Sequence, residues 1–155
     1  MTNLIGTVMS GTEFNRIFKP PYYTFMRQSD ELVFCPLKIG LNIDKDRFNP
    51  TKLVFCDESH CHHHYKYQNK IALIEIPNTA RIYIEKNFFR ASRYIVKSIT
   101  DYEKMSDDFW IKIIKYDGLA LRNIKNQTDE ICKLAVQQND YALEYVKNQT
   151  NEICK

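Results

Sequence analysis

A tandem repeat constrains the C-terminal third of this chain more than any other feature. Residues 117–133 read DGLALRNIKNQTDEICK, and residues 139–155 read NDYALEYVKNQTNEICK. The second stretch repeats the first at an offset of 22 residues, with identical Ala-Leu, Lys-Asn-Gln-Thr and Glu-Ile-Cys-Lys blocks. Self-similarity at a fixed period indicates a repeated supersecondary unit. We expect one complete repeat over residues 117–138 and a second, over residues 139–155, that stops partway.

Each repeat has the pattern of a helix, a turn and a second helix. An apolar stripe at i, i+1 and i+4 from Ala120 predicts the first helix. Thr128 is the predicted N-cap of the second helix, and the acids behind it suit the helix dipole. The apolar face of that helix begins at Ile131 and Cys132, and Asn139 ends it. We therefore interpret Asn-Gln-Thr as a turn and cap, not a glycosylation site, and the cysteines as small core residues.

The tail needs hydrophobic support from outside itself. Repeat arrays stand alone only from about three units upward. We expect the two units to pack on the preceding segment or to fray. Ser106 is the predicted N-cap of a helix before them, with Phe109 and Ile113 on its apolar face. These features divide the chain into an α+β domain over residues 1–105 and a helical segment over residues 106–155.

The first hundred residues have the pattern of a sheet. Mostly apolar or alternating runs predict strands, and Pro20-Pro21 ends a predicted helix over about Thr12 to Phe18. The predicted strands are Tyr22–Arg27, Leu32–Phe34, Leu53–Phe55, Lys70–Ile76 and Arg81–Glu85, with Ser92–Ile99 open between strand and helix; Gly40–Asp44 and Phe48–Thr51 are predicted loops. The fold class is therefore α+β: a mixed or antiparallel sheet domain followed by a short α-helical repeat tail.

Bulk composition excludes several classes of partner. The formal net charge is only +3, and opposite charges are interleaved, so we expect no nucleic acid. No apolar run approaches the ~20 residues that span a bilayer, and no signal peptide is recognisable, so we expect no membrane. Five cysteines, an odd number, favour reduced thiols. We expect an intracellular protein that is not secreted.

The repeat and several blocks of the front half resemble a family of proteins from giant amoebal viruses of the mimivirus type. The tail stretches that carry the resemblance are YALEYVKNQTNEICK and LALRNIKNQTDEICKLAVQQND, and the front stretches are GLNIDKDRFNPT, LVFCDES and ALIEIPNTARIYIEKNFFRAS. The resemblance implies organisation and source, with a location in the host cytoplasm or virion, and no activity. Relatives commonly have longer arrays and a glycine-rich block before LVFCDES, so the resemblance implies a reduced paralogue.

A cluster of cysteines and histidines is the most conspicuous candidate site. Residues 56–64 read CDESHCHHH and contain all four histidines. Cysteine and histidine at short spacing can bind zinc, and Cys35 is a candidate distant ligand. The second pair of ligands that structural zinc sites use is missing, and adjacent histidines point in different directions. The alternative is a polar loop that leads into a strand or helix near Tyr65 and Tyr67.

Two enzymatic interpretations remain open beside zinc binding. The order of a Tyr-x-x-x-x-Arg strand, a Gly-Leu loop and a Leu-Val-Phe strand resembles ADP-ribosyltransferase-like folds, and the alternative is a degenerate NAD-binding domain of that kind. That resemblance implies NAD held by Tyr23 and Arg27, with Glu85 as the late glutamate. Cys-His nucleophilic catalysis would use Cys56 or Cys61 with His60, if the fold places the base.

A binding module is the interpretation that the sequence favours. Helical repeats offer a contact surface without catalytic groups. We therefore assign no residue to a catalytic, cofactor-binding or metal site and expect no cofactor. The hypothesis is a non-enzymatic protein-interaction module with a protein partner, and neither the partner nor the oligomeric state follows from the sequence. An exposed apolar patch would favour binding, and a deep polar pocket around Arg27 would favour catalysis.

Overall fold

The chain forms two compact units, Met1–Thr100 and Asp101–Lys155. The computed structural model describes residues 4–26, 37–46, 53–64, 70–150 and 153. The predicted α+β class is confirmed, because an antiparallel sheet and several helices are present. In the described ranges, no helix combines the length and apolar character that a membrane-spanning helix requires.

Within the described residues, the first unit is built on an eight-stranded sheet with the spatial order β1-β6-β7-β4-β2-β5-β8-β3. The strand pairs whose register is defined are antiparallel. The strands are β1 (Val8–Ser10), β2 (Tyr22–Met26), β3 (Gly40–Ile43), β4 (Val54–Asp57), β5 (Lys70–Glu75), β6 (Arg81–Ile84), β7 (Phe89–Ala91) and β8 (Arg93–Asp101). The segment Ser92–Ile99, open between strand and helix, is therefore a strand from Arg93 onward.

The prediction of a loop over Gly40–Asp44 is wrong, because this segment contains strand β3. Leu41 lies opposite Ile95 of β8, so long-range pairing overrides a local sequence rich in turn formers. Asn42 is buried on this strand, and its amide donates to the backbone oxygen of Lys38 at 2.8 Å. The same amide donates to the backbone oxygen of Gly40 at 2.9 Å, and the two bonds satisfy a polar side chain that would otherwise disfavour a strand.

Helix α1 (Gly11–Ile17) covers an aromatic core. It begins with a capping box in which Ser10 accepts from the backbone N–H of Glu13 and the Glu13 carboxylate accepts from that of Ser10. Phe14 of this helix is fully buried and stacks on Phe18 at 4.6 Å between ring centroids. The ring of Phe89 meets Phe14 edge-on at 5.0 Å. The predicted helix before Pro20-Pro21 is confirmed, one residue earlier at each end.

Several predictions fall on residues outside the described ranges. They are Arg27, the strand Leu32–Phe34, Cys35, the loop Phe48–Thr51, Tyr65, Tyr67 and Cys154.

The second unit contains α2 (Asp107–Ile114), α3 (Asp129–Gln138) and two six-residue 3-10 helices, Gly118–Asn123 and Asp140–Tyr145. The predicted N-caps are confirmed: the hydroxyl of Ser106 accepts from the backbone N–H of Phe109 at 3.4 Å, and that of Thr128 from Ile131 at 3.3 Å. These caps satisfy N–H groups that have no partner inside the helix.

The first helix of each repeat is a 3-10 helix and not the α-helix expected for the tail. In both, an aspartate or asparagine precedes the helix and its side chain accepts from the backbone N–H two residues later. Asp117 accepts from Leu119 at 3.1 Å, and Asn139 accepts from Tyr141 at 3.0 Å. Such local side-chain bonds favour a tight turn over an α-helical start, and 3-10 helices suit runs this short.

Candidate functional site

The histidine cluster folds as a 3-10 helix, Glu58–His63, which we call the Cys/His helix. Asp57 precedes it, and its carboxylate accepts from the backbone N–H of His60 at 3.2 Å. The prediction of a polar loop is therefore wrong for Glu58–His63. The cap by Asp57 and the buried side chain of Cys61 hold this segment in a helical conformation. The helix contacts β4 and β2.

Two thiols meet between this helix and the sheet. Cys56 on β4 lies opposite Tyr23 on β2, on the face away from the aromatic core residue Phe55. The Sγ atoms of Cys56 and Cys61 are 3.7 Å apart, and both residues are fully buried. Burial, followed by the hydrogen bond and charge of Cys61, raises the pKa of Cys56. Cys56 is therefore a protonated thiol at neutral pH and not a ready nucleophile.

Asp57, Ser59 and His60 form a compact hydrogen-bonded group. Nδ1 of His60 lies 2.7 Å from Oδ1 of Asp57, and the Ser59 hydroxyl donates to the same oxygen at 2.7 Å. Ser59 Oγ is also 3.0 Å from that Nδ1. A ring nitrogen that donates to Asp57 cannot accept the serine proton, whereas a catalytic triad contacts its acid and its nucleophile through different nitrogens. The group therefore acts as a helix cap.

The remaining histidines pack on rings. His62 and His63 lie 3.9 Å apart between ring centroids. His64 packs between Phe25 at 6.0 Å and Phe88 at 5.9 Å, and its Nε2 donates to the backbone oxygen of Asn87 at 3.2 Å. Burial lowers the pKa of His64, so this ring is neutral at neutral pH. In the described part of the chain, no three His, Cys, Asp or Glu side chains are placed to hold one metal ion.

The structure does not bring together Tyr23, a candidate for holding NAD, and Glu85, the candidate late glutamate of the same interpretation. Tyr23 lies on β2, and Glu85 directly follows β6, with β4 and β7 between those strands. At ~4.8 Å per strand the two positions are about 14 Å apart. Glu85 forms an ion pair with Arg90. Burial, together with the charge of Glu58, raises the pKa of Tyr23 to about 12.

A groove of about 880 Å³ lies in the first unit, lined in part by Asn15, Pro21, Tyr22, Leu73 and Lys97. Tyr22 is only 2% exposed, and its hydroxyl has no hydrogen-bond partner among the described residues. Burial, together with the charge of Asp57, raises the pKa of Tyr22 to about 12. This hydroxyl therefore stays protonated and available as a donor.

The connector between the two helices of the first repeat is held by Gln127. Its Nε2 donates to the backbone oxygens of Tyr145 at 2.9 Å and Leu121 at 3.2 Å. Its Oε1 accepts from the backbone N–H of Lys147 at 3.0 Å. One side chain thus ties its own repeat to the next. The interpretation of Asn-Gln-Thr as a turn and cap did not include this role of Gln127. The sequence feature that indicates it is the identity of Lys-Asn-Gln in both copies of the repeat.

A polar cavity of about 330 Å³ lies between the two connectors. Lys147 Nζ donates to the backbone oxygen of Lys125 at 2.6 Å, and Lys125 pairs with Glu103 at 3.0 Å. Asn126 and Asn148, at matching positions of the two copies, both line the cavity and are exposed. Neither amide is hydrogen-bonded to another described residue. The sequence alone did not single out these asparagines.

Exposed apolar side chains occur in both units. Leu41 and Ile43 on β3 and Leu73 on β5 are exposed in the first unit. Tyr116 is 57% exposed and Tyr141 is 74% exposed in the second. The predicted alternative, a pocket around Arg27, concerns a residue outside the described ranges.

No protein-family model, no curated protein and no solved structure matches the chain.

Proposed function

We propose that the chain is a non-enzymatic protein-interaction module whose tail binds an extended segment of a partner polypeptide. The observation that carries the proposal is the pair Asn126 and Asn148. They occupy matching positions of two helical repeats, line one cavity and have exposed amides. In this proposal the tail is a short repeat array, and its contact surface lies at the junction between the first and the second repeat.

The other positions of the Lys-Asn-Gln-Thr block have structural roles. Lys147 donates to backbone oxygens of the preceding connector. Gln127 joins the two repeats. Thr128 caps α3. Asparagine is the position whose identity in both copies is not explained by a hydrogen bond to another described residue, and we therefore propose a contact outside the chain.

The chemistry of the cavity suits a polypeptide backbone. A side-chain amide offers both donors and an acceptor, which match the C=O and N–H of a peptide group. Lys125 and Lys147 are already engaged, by Glu103 and by backbone oxygens, so charge is a secondary part of recognition. The hydrogen bonds of Gln127 hold the connectors in place before binding, which reduces the entropy lost on association.

Engagement of the candidate catalytic groups also supports a non-enzymatic role. Glu85 is paired with Arg90, and Nδ1 of His60 is held by Asp57. Burial raises the pKa of Cys56.

We extend the proposal to origin: the module belongs with the repeat proteins of mimivirus-type giant viruses and acts inside the infected cell.

A peptide-display experiment tests the proposal. A library of random, unstructured peptides is selected on the full chain alone, and the enriched peptides are then compared on the wild type and on the double variant N126A/N148A. Enriched peptides are synthesised, and their affinities are measured by fluorescence anisotropy. The matched control is Gln137→Ala, which removes an exposed carboxamide on α3 outside the cavity.

We expect affinity to fall about tenfold or more in N126A/N148A and to stay unchanged in Q137A, because each lost hydrogen bond contributes ~0.5–1.5 kcal/mol. Binding should change little between low and high salt. Peptides that bind the double variant as well as the wild type would contradict the proposal. So would a selection without enrichment, or affinity that salt removes.

A further inference from the structure

Cys56 and Cys61 are a pair of buried thiols in the described part of the first unit. Their Sγ atoms are 3.7 Å apart, in van der Waals contact. A disulfide needs about 2.05 Å between sulfurs, so bond formation requires an approach of about 1.7 Å. The two cysteines are separated by only four residues, which lie in or next to the Cys/His helix.

The two thiols differ in how they can reach a reagent. Cys56 is on β4, which is paired on both sides by β2 and β7. Cys61 is in the Cys/His helix, a six-residue element whose Ser59 and His63 are exposed. A short surface helix opens more readily than a paired strand in a sheet interior. Local opening therefore exposes Cys61 first.

We infer that Cys56 and Cys61 form a reversible oxidative modification site that takes up a disulfide from an oxidised low-molecular-weight thiol such as glutathione disulfide. The inference does not depend on the proposed interaction function. It assigns a chemical role to the cluster that spacing alone had suggested as a zinc site.

The reaction proceeds by two thiol–disulfide exchanges. Cys61 loses its proton to solvent, and its thiolate attacks one sulfur of glutathione disulfide. The glutathione S–S bond breaks, a mixed disulfide forms on Cys61 and one glutathione thiolate leaves. Cys56 then loses its proton, and its sulfur attacks Cys61 Sγ and releases the second glutathione. Two protein thiols and one glutathione disulfide thus give one protein disulfide and two glutathione thiols.

A disulfide between Cys56 and Cys61 would have a direct consequence for the Cys/His helix. The new bond would tie Cys61 to β4 and restrict opening of the helix. His64, which follows the helix and packs on Phe25 and Phe88, would be restrained with it. The pKa of Cys56, raised by burial, makes the second step slow at neutral pH and faster as pH rises.

Mass spectrometry tests the inference on the full chain. Cys35, Cys132 and Cys154 are replaced by serine, so that only the pair remains, and circular dichroism verifies the fold. The protein is incubated with glutathione disulfide, quenched with N-ethylmaleimide and weighed intact. We expect a species whose mass is lower than that of the reduced protein by two hydrogen atoms and that carries no maleimide. After reduction, this species should again have two thiols that react with maleimide.

The controls in the same background are C56S and C61S, in which the internal disulfide cannot form. In C56S the reaction should stop at the mixed disulfide between Cys61 and glutathione. The wild-type chain is treated in parallel and mapped by peptide, which covers the case of a background that fails to fold. Two thiols that remain reactive to maleimide after unfolding, or only glutathione adducts and linked dimers, would overturn the inference.

Discussion

Replacement of Gln127 by alanine should destabilise the second unit far more than the same replacement of Gln149. The two glutamines occupy matching positions of the repeat. Gln127 makes three well-formed hydrogen bonds, of 2.9, 3.2 and 3.0 Å, and two of them reach the next repeat. Gln149 is exposed and donates to the backbone oxygen of Leu143 at 3.1 Å. The pair is therefore a matched comparison of one substitution in two environments.

The expected magnitudes follow from the number of bonds. A protein hydrogen bond contributes ~0.5–1.5 kcal/mol net, so Gln127→Ala should lower the free energy of unfolding by about 2–4 kcal/mol. Among the described residues Gln149→Ala loses one exposed bond, and it should cost less than about 1 kcal/mol. The difference, about 2 kcal/mol, is a large fraction of the stability of a small domain.

Tryptophan fluorescence during urea unfolding measures this difference. Trp110 is the single tryptophan of the chain, lies on α2 of the second unit and is 2% exposed. Its emission therefore reports on unfolding of that unit. Equal losses of stability in Q127A and Q149A, or a loss below about 1 kcal/mol in Q127A, would refute the reasoning that Gln127 joins the two repeats.

Two predictions concern the first unit. Tyr22→Phe removes a buried hydroxyl without a described partner and should raise the free energy of unfolding by about 1 kcal/mol, since no described bond offsets the desolvation of that hydroxyl. A lower free energy of unfolding in chemical denaturation would contradict this and would reveal a partner. The pKa of His64 is lowered by burial, so the unfolded chain binds more protons as pH falls below about 6.5 and stability should decrease there. Thermal unfolding at several pH values should show a shallower decrease in His64→Gln, and identical slopes would contradict this.

Hydrophobic patterning predicted β5 and β6 from the local sequence. β6 was marked by alternation and β5 by a mostly apolar run that is buried in part on both faces, so the hydrophobic pattern marks both strands without knowledge of their neighbours. β3 was missed because Gly40 and Asn42 are turn formers by local preference. Its strand conformation comes from pairing with β8, about fifty residues later, and from the bonds of Asn42 to Lys38. Local sequence contains neither contact.

The 3-10 helices were missed for a different reason. Over six residues, a period of 3.0 and a period of 3.6 place the apolar positions almost equally well. The side chains of Asp117 and Asn139 decide between them through bonds to the backbone two residues later. The caps at Ser106 and Thr128 were predictable because the residue type and the following acids mark them within four positions.

The candidate sites depend on contacts that spacing cannot reveal. Residues 56–64 indicated metal chemistry by composition, but the fold directs Cys61 back onto Cys56 and places His64 against Phe25 and Phe88. In the tail, the sequence showed that Lys-Asn-Gln-Thr is repeated. It could not show that Gln127 bonds to the next repeat while Asn126 does not bond within the described chain.

Stability and binding should separate at these two adjacent positions. Asn126→Ala removes an exposed side chain without a described internal bond, so the urea midpoint followed by Trp110 should stay within experimental scatter while peptide affinity falls. Gln127→Ala should lower both, because the connectors that form the cavity lose their common anchor. Loss of stability in N126A would mean that the asparagine is structural, and the interaction proposal would lose its main support. Loss of stability in Q127A with unchanged affinity would place the binding surface elsewhere on the chain.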